Sequence, residues 1–408
     1  MIKKVICVVF DGLGDRPIKE FGGKTPLEFA QTPNFDAITK KSLCGLMHTL
    51  GRGVRPGSDT SHLEIFGYPI EQYYTGRGPI EVAGLGIKLQ GGDVAFRGNL
   101  GTVDSNWNIL DRRAGRIRAV DEFTAAIDGI EIDGIQFIIK PGTAHRAGVV
   151  LRGKGLSAAV SDNDPHEEGL PVMTMNPLDD SKEAAFTAQV LNKFLRKSYD
   201  ILDSLEANKK RIADGQLPAN FLLLRGPGVY PSMPKFDEKY GLKACCIAGG
   251  GLYKGIGAFL GMDIINIPGA TALPDTNVEA KFKASIEALN KYDFVFCHVK
   301  PTDSLAEDGN PNGKKEFIEK ADKAVSLLTN LPDDVLLVVT ADHSTACELK
   351  AHTADPVPVL FCNPSARADD VATIGERSFA HGGLGFIEGK DLMPFVLNLM
   401  GKLHLTGA

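Results

Sequence analysis

The sequence predicts an α/β protein: a doubly wound, mostly parallel sheet interrupted by an inserted α+β domain. Three observations predict it. The runs Val5–Phe10, Phe294–Val299 and Val335–Thr340 are apolar without alternation, as strands buried on both faces are. In the C-terminal half such runs alternate with helix-like segments, the rhythm of parallel βα units. Between about residues 78 and 215 the apolar pattern instead alternates, as in a sheet with one solvated face.

Taken in order, Val5–Phe10 is the first strand, and Thr32-Pro33-Asn34 opens a helix to about Lys41 with proline in its first turn. Leu43–Leu50 is a second strand. The glycine-rich loop Gly51-Arg52-Gly53-Val54-Arg55-Pro56-Gly57 follows, and Ser58-Asp59-Thr60 starts a helix to about Phe66. Asp93–Leu100, Ile135–Ile139 and Ala147–Leu151 are strands of the insert, and an amphipathic helix covers roughly Ser181 to Asn208. Gly215 to Pro218 reads as a junction. Strands Phe221–Leu224, Ala244–Ala248, Ile264–Ile267, Phe294–Val299 and Val335–Thr340 then alternate with helices near Pro234–Tyr240, Leu252–Leu260, Val278–Asn290 and Lys314–Thr329. The expected organisation is a core in two parts, residues 1–77 and 216–408, around an insert at 78–215.

The 408 residues carry a net charge of -6, which offers a nucleic acid no electrostatic footing. Arg112, Arg113, Arg116 and Arg118 are local exceptions and read on charge alone as a solvated face. No apolar run approaches the ~20 residues that span a bilayer. Met1 to Cys7 begins a strand directly, without an apolar leader. The seven cysteines are scattered, with no zinc-like spacing, as in a reduced cytoplasmic protein.

The chemistry gathers at strand ends. Asp11, Asp303 and Asp342 each follow one of the three buried runs, and ligands of open α/β sheets collect beyond the carboxyl ends of strands. Three carboxylates there repel one another unless a cation holds them. Asp342-His343 adds a nitrogen to the oxygens, a donor set for Mn²⁺, Zn²⁺ or Fe²⁺, or for Mg²⁺ with water. His381, in His381-Gly382-Gly383, is the candidate to complete a second ion site. Ser58 lies where helix N–H groups would receive a phosphate, and a bound ion would ease its ionisation; a serine there also fits a plain helix cap. His145, Arg146, Asp162, Arg225 and Lys254 are, as a set flanking the acidic strand ends, candidate holders of a small anion; any one of them alone reads first as an ordinary surface ion pair.

Phe10-Asp11-Gly12-Leu13-Gly14-Asp15-Arg16-Pro17, Arg55-Pro56-Gly57-Ser58-Asp59-Thr60-Ser61-His62-Leu63, Gly76-Arg77-Gly78-Pro79-Ile80-Glu81, Asp111-Arg112-Arg113-Ala114-Gly115-Arg116, Thr340-Ala341-Asp342-His343-Ser344-Thr345 and Asp355-Pro356-Val357-Pro358-Val359 stand in one order along nearly the whole chain. In these motifs the chain resembles the archaeal-type cofactor-independent phosphoglycerate mutases of the alkaline phosphatase superfamily. The resemblance implies interconversion of 3- and 2-phosphoglycerate in glycolysis and gluconeogenesis, with a phosphoserine at Ser58 and no 2,3-bisphosphoglycerate. It implies two divalent ions, Mn²⁺ ahead of Mg²⁺, Zn²⁺ or Co²⁺. One would be held by Asp11, Ser58, Asp342 and His343, the other by Asp303, His381 and the residue four after Asp303. Arg225 and Lys254 would hold the phosphoryl group, and His145, Arg146 and Asp162 the glycerate. The chain departs from the family pattern at Glu307, where a histidine ligand is expected, and at Ala272, where glycine is usual.

Two other readings use the same residues. A phosphohydrolase would pass the phosphoserine to water, whereas an insert that closes and excludes water favours return to glycerate. A catalytically silent relative would only bind a phosphorylated metabolite, and Glu307 is the one feature that suggests it. The expected partner is a small phosphoglycerate, with neither nucleic acid nor membrane; an oligomer is compatible with the sequence.

Overall fold

The computed structural model describes residues 1–405 and 407. The chain folds as two compact units, residues 1–74 with 234–408, and residues 75–233. The first boundary lies three residues before the expected one. The second corrects the expected 215/216 junction to 233/234. The reason is a non-local pairing: the apolar run after Asn220 becomes strand Phe221–Val229, which lies antiparallel to Val94–Val103 inside the insert.

The core unit is built on eight strands in the order Asp263–Ile264, Ala244–Ile247, Phe294–Val299, Lys4–Phe10, Val335–Ala341, Val357–Cys362, Ser42–His48 and Gly385–Glu388. Neighbours are parallel except at Val357–Cys362, which runs against both of its partners. Side chains of the three central strands are almost wholly buried, which is why their sequences lack alternation. Register fixes the site: Phe10 pairs with both Val299 and Ala341, so all three chains leave the sheet at one level.

Helices complete the scaffold with local signals. Asn310 caps Pro311–Val325 through the Gly313 N–H, and Thr25 and Glu28 form a capping box on a short helical turn at Pro26–Phe29. Helix Ser58–Ile65 is pinned by the residue after it: the Phe66 ring lies 4.9 Å from Phe296 and 6.0 Å from Phe294. Such aromatic packing anchors the helix against the strand that leads to Asp303.

The inserted unit is an antiparallel sheet. Val94–Val103 sits between Arg146–Arg152 and Phe221–Val229, and Ile135–Pro141 lies beyond Arg146–Arg152. Helix Lys182–Ser204, capped by Ser181, packs onto it, with Phe194 stacked 3.9 Å from Phe137. The expected single helix to Asn208 breaks at Leu205 and resumes as Glu206–Ala213.

Candidate metal centre and nucleophile

The loop after Lys4–Phe10 turns at Gly12, whose φ is +58° and where a Cβ would lie 2.8 Å from the Asp303 Cβ. Only glycine permits that approach, and it lets the three strand ends close together. Asp11, Asp303, Asp342 and His343 are all buried there. His343 Nε2 lies 3.2 Å from Asp11 Oδ1 and 3.4 Å from Asp342 Oδ2.

Ser58 is the first residue of helix Ser58–Ile65, and Gly57 holds the cap position. The serine side chain therefore does not cap. Its Oγ lies 3.1 Å from His343 Nε2. The tautomer of His343 follows from Thr345. That hydroxyl gives its one proton to Asp303 Oδ1 at 2.7 Å, so it accepts from His343 Nδ1–H at 3.0 Å. In the neutral imidazole the Nε2 lone pair is then aimed at Ser58 and Asp11.

Helix Pro301–Glu307 places Asp303 and Glu307 one turn apart. Lys300 sits between carboxylates, 3.2 Å from Asp11 Oδ2 and also bonded to Asp303. His352, on the short hairpin strand Ala351–Thr353, places Nε2 3.4 Å from Asp303 Oδ1 and 3.8 Å from Glu307 Oε1. His343 and His352 stack with ring centroids 3.6 Å apart.

The electrostatics are those of a cation site. Burial favours protonation of Asp11, but Lys300, His298 and His343 hold it well below the usual carboxylate range. Burial and the neighbouring Asp11 push Asp342 up. Burial lowers His343, yet Asp342, Asp11 and Asp303 outweigh it and raise the imidazole to about 9. Burial brings His298 down to about 3, so that it stays neutral. Tyr253 donates its hydroxyl to Asp11; burial and that carboxylate hold the phenol well above its ordinary range.

Divalent ions fit these residues. Asp11 Oδ1 and Asp342 Oδ2 are buried with no hydrogen-bond partner. Unpaired buried carboxylate oxygens are costly, and a cation relieves that cost. Among the described residues three groups could hold an ion: Asp11 with Asp342 and His343, Asp303 with His343 and His352, and His62 with His298 and Asp342.

A family model described as the metalloenzyme superfamily matches residues 3–399. The phosphoglycerate mutase 1 of Methanocaldococcus jannaschii, of the 2,3-bisphosphoglycerate-independent type, is 48% identical over all of both chains. The chain belongs to the 2,3-bisphosphoglycerate-independent phosphoglycerate mutases, within the metalloenzyme superfamily. Family members of the same description from Methanococcus aeolicus and Picrophilus torridus are each 46% identical, over 99% and 100% of this chain and all of theirs. The solved cofactor-independent phosphoglycerate mutase from Thermoplasma acidophilum is 34% identical, with a TM-score of 0.79 over 98% of this chain and 100% of that one. A Pyrococcus horikoshii protein is 34% identical, with a TM-score of 0.81 over the whole of both. The α/β fold expected from the sequence is thus that of the family.

Two expected residues stand elsewhere. His381 is exposed after the turn Glu376–Phe379 and joins none of the three groups; His352 occupies the position beside Asp303 that was expected for it. Lys254 turns its ammonium to Asn266 Oδ1 at 2.8 Å, while its neighbour Tyr253 reaches Asp11. Sequence reasoning also passed over His62, His298, Lys300 and Thr345. A usable signal existed for two of them: His62 lies one helical turn after Ser58, and Lys300 lies three residues before Asp303.

Within the insert, Arg112 is fixed to Asp164 at 3.0 and 2.7 Å rather than solvated as expected. Arg225 Nε lies 3.4 Å from Asp164 Oδ2, and Asp162 accepts from the Gly226 N–H at 3.0 Å. Burial lowers His145, helped by Arg146, Arg113 and Arg225. These expected anion-holding residues therefore form one basic neighbourhood within their own unit.

Proposed function

We propose that this protein interconverts 3- and 2-phosphoglycerate through a phosphoserine at Ser58. The observation that carries the reading is Ser58 Oγ, 3.1 Å from His343 Nε2, beside the unpaired oxygens of Asp11 and Asp342. The names of relatives at 44–48% identity agree with it. Asp11, Ser58, Asp342 and His343 would hold one divalent ion, and Asp303, Glu307 and His352 the other. Bound ions would lower the pKa of the serine hydroxyl and offset charge on the phosphoryl oxygens.

In the first half-reaction Ser58 Oγ gives up its proton and attacks phosphorus, the bond to the 3-oxygen breaks, and that oxygen takes up a proton. In the second the 2-hydroxyl gives up its proton and attacks the phosphoserine, the bond from phosphorus to Ser58 Oγ breaks, and Oγ regains a proton. Arg225, His145, Arg146 and Asp162 would orient the glycerate from the first half-reaction to the second, Arg225 by planar donation to carboxylate or phosphate. Lys254 remains a candidate for the phosphoryl group. The carboxylate-rich second site favours Mn²⁺ or Mg²⁺ over softer ions. Seven unpaired cysteines support a reducing compartment, the cytoplasm, as the setting.

The test is a rapid quench of protein with 3-phosphoglycerate and Mn²⁺, followed by peptide mass spectrometry. Phosphate on Ser58 is expected. A fully active Ser58→Ala variant would end the phosphoserine mechanism.

A further inference from the structure

We propose that Tyr253 is a positioning residue of the metal centre: its hydroxyl engages one carboxylate oxygen of Asp11 and so leaves only the other for a divalent ion. This role rests on the reading that Asp11, Ser58, Asp342 and His343 hold an ion of the mutase reaction.

The two oxygens of Asp11 are unequal. Oδ2 accepts from the Tyr253 hydroxyl and lies 3.2 Å from Lys300 Nζ and 3.4 Å from His298 Nε2. Oδ1 is buried and has no hydrogen-bond partner. With Oδ2 surrounded by protein groups, Asp11 meets an ion through Oδ1 alone. Of the three groups on Oδ2, Tyr253 is the dedicated one. Lys300 is shared with Asp303, and His298 Nε2 makes no hydrogen bond.

The phenol is held in place. Tyr253 is buried on helix Gly251–Phe259. Its ring stacks on His298, with centroids 3.4 Å and planes 16° apart, and tilts against His62 at 5.6 Å. A Cβ on Gly250 would stand 2.9 Å from Tyr253 Cδ2, so the ring is hemmed in on that side as well. The hydroxyl also faces Ser58. Phenylalanine would satisfy the same packing; the oxygen serves Asp11. Donors that orient metal-binding carboxylates typically carry about 10–100-fold in ion affinity. Confining Asp11 to one oxygen also sets metal choice. Ca²⁺ gathers ~6–8 oxygens and often takes a carboxylate through both, so it loses most by the restriction.

Metal-free wild type and Tyr253→Phe would be titrated with Mn²⁺ in the absence of substrate, followed by electron paramagnetic resonance, and the bound Mn²⁺ then competed with Ca²⁺. In the variant one of the two ions should bind about 10–100-fold more weakly, and the excess of Ca²⁺ that displaces it should fall. Gly250 has a φ of -83°, which any residue adopts, so Gly250→Ala displaces the ring while keeping the phenol. It should show the same two changes, and it replaces the first variant should that not fold. A loss below about tenfold, an equal loss at both ions, an unchanged Ca²⁺ excess, or no Mn²⁺ bound by the wild type overturns the proposal. Phosphoserine formed in the wild type, with ion binding unchanged in the variant, leaves the mutase reading standing and removes this role from Tyr253. Both expected changes, in a protein whose wild type forms no phosphoserine, support the role and defeat the mutase reading.

Discussion

Lys314→Met should loosen the metal centre from outside it. Lys314 is fully buried on helix Pro311–Val325, and its Nζ donates to Asp15 Oδ2 at 2.8 Å and to the carbonyls of Gly14 and Thr345 at 3.0 Å each. It thereby ties the loop after Asp11 to the loop after His343. Methionine fills similar volume but removes all three donors and leaves the Asp15 carboxylate without its buried counter-charge. Removing one partner of a buried pair costs about 3–5 kcal/mol. For a unit of this size that corresponds to a fall in Tm of roughly 6–20 °C. Urea unfolding of wild type and variant, metal-free, measures it. In an Asp15→Asn background, where no orphaned charge remains, the same substitution should cost about 1–3 kcal/mol less. Because Thr345 bridges His343 and Asp303, Mn²⁺ affinity should fall in the single variant as well. A loss under about 1 kcal/mol, or equal losses in both backgrounds, refutes the tie.

The second ion site and the insert give three more expected outcomes. His352→Ala should lose one exchangeable Mn²⁺ per chain while His381→Ala keeps it; isothermal titration distinguishes them, and the reverse order would restore His381 to the second site. Glu307→His should bind an ion there with preference moved toward Zn²⁺, and Glu307→Ala should bind it more weakly; unchanged affinity and stoichiometry in the alanine variant would remove Glu307 from the ligand set. Asp164 is buried, which raises its pKa, but Arg112 outweighs burial and lowers it below 3.8. A lowered carboxylate contributes stability above its unfolded pKa and loses it as pH falls through the folded one. The stability gap between wild type and Asp164→Asn should therefore be full above about pH 5 and shrink below 3.8; a gap constant with pH in unfolding titrations would contradict the ion pair.

The parallel core and four of its acidic or imidazole groups were legible because buried strands announce themselves. Val5–Phe10, Phe294–Val299 and Val335–Thr340 have no polar side, and the residues just beyond such a run in an open sheet face the ligand. Asp11, Asp303, Asp342 and His343 needed nothing more. His352 was hidden because its strand, Ala351–Thr353, is three residues of a hairpin too short and too polar to carry a period. His381 drew attention through its glycines, which serve instead to pass close to strand Ser42–His48: a Cβ on Gly382 would meet the Cys44 carbonyl. His298 lay inside an apolar run and read as core. The insert boundary was misplaced because Phe221–Leu224 is as apolar as a core strand, and only its pairing with Val94–Val103, over a hundred residues away, assigns it.

The central claim is tested most directly by supplying purified protein with 3-phosphoglycerate and Mn²⁺, without 2,3-bisphosphoglycerate, and tracking both products. The account predicts 2-phosphoglycerate at equilibrium with its isomer, no free phosphate, and loss of conversion with EDTA or Ser58→Ala. Release of inorganic phosphate in place of 2-phosphoglycerate, or no turnover by metal-loaded protein, would contradict it.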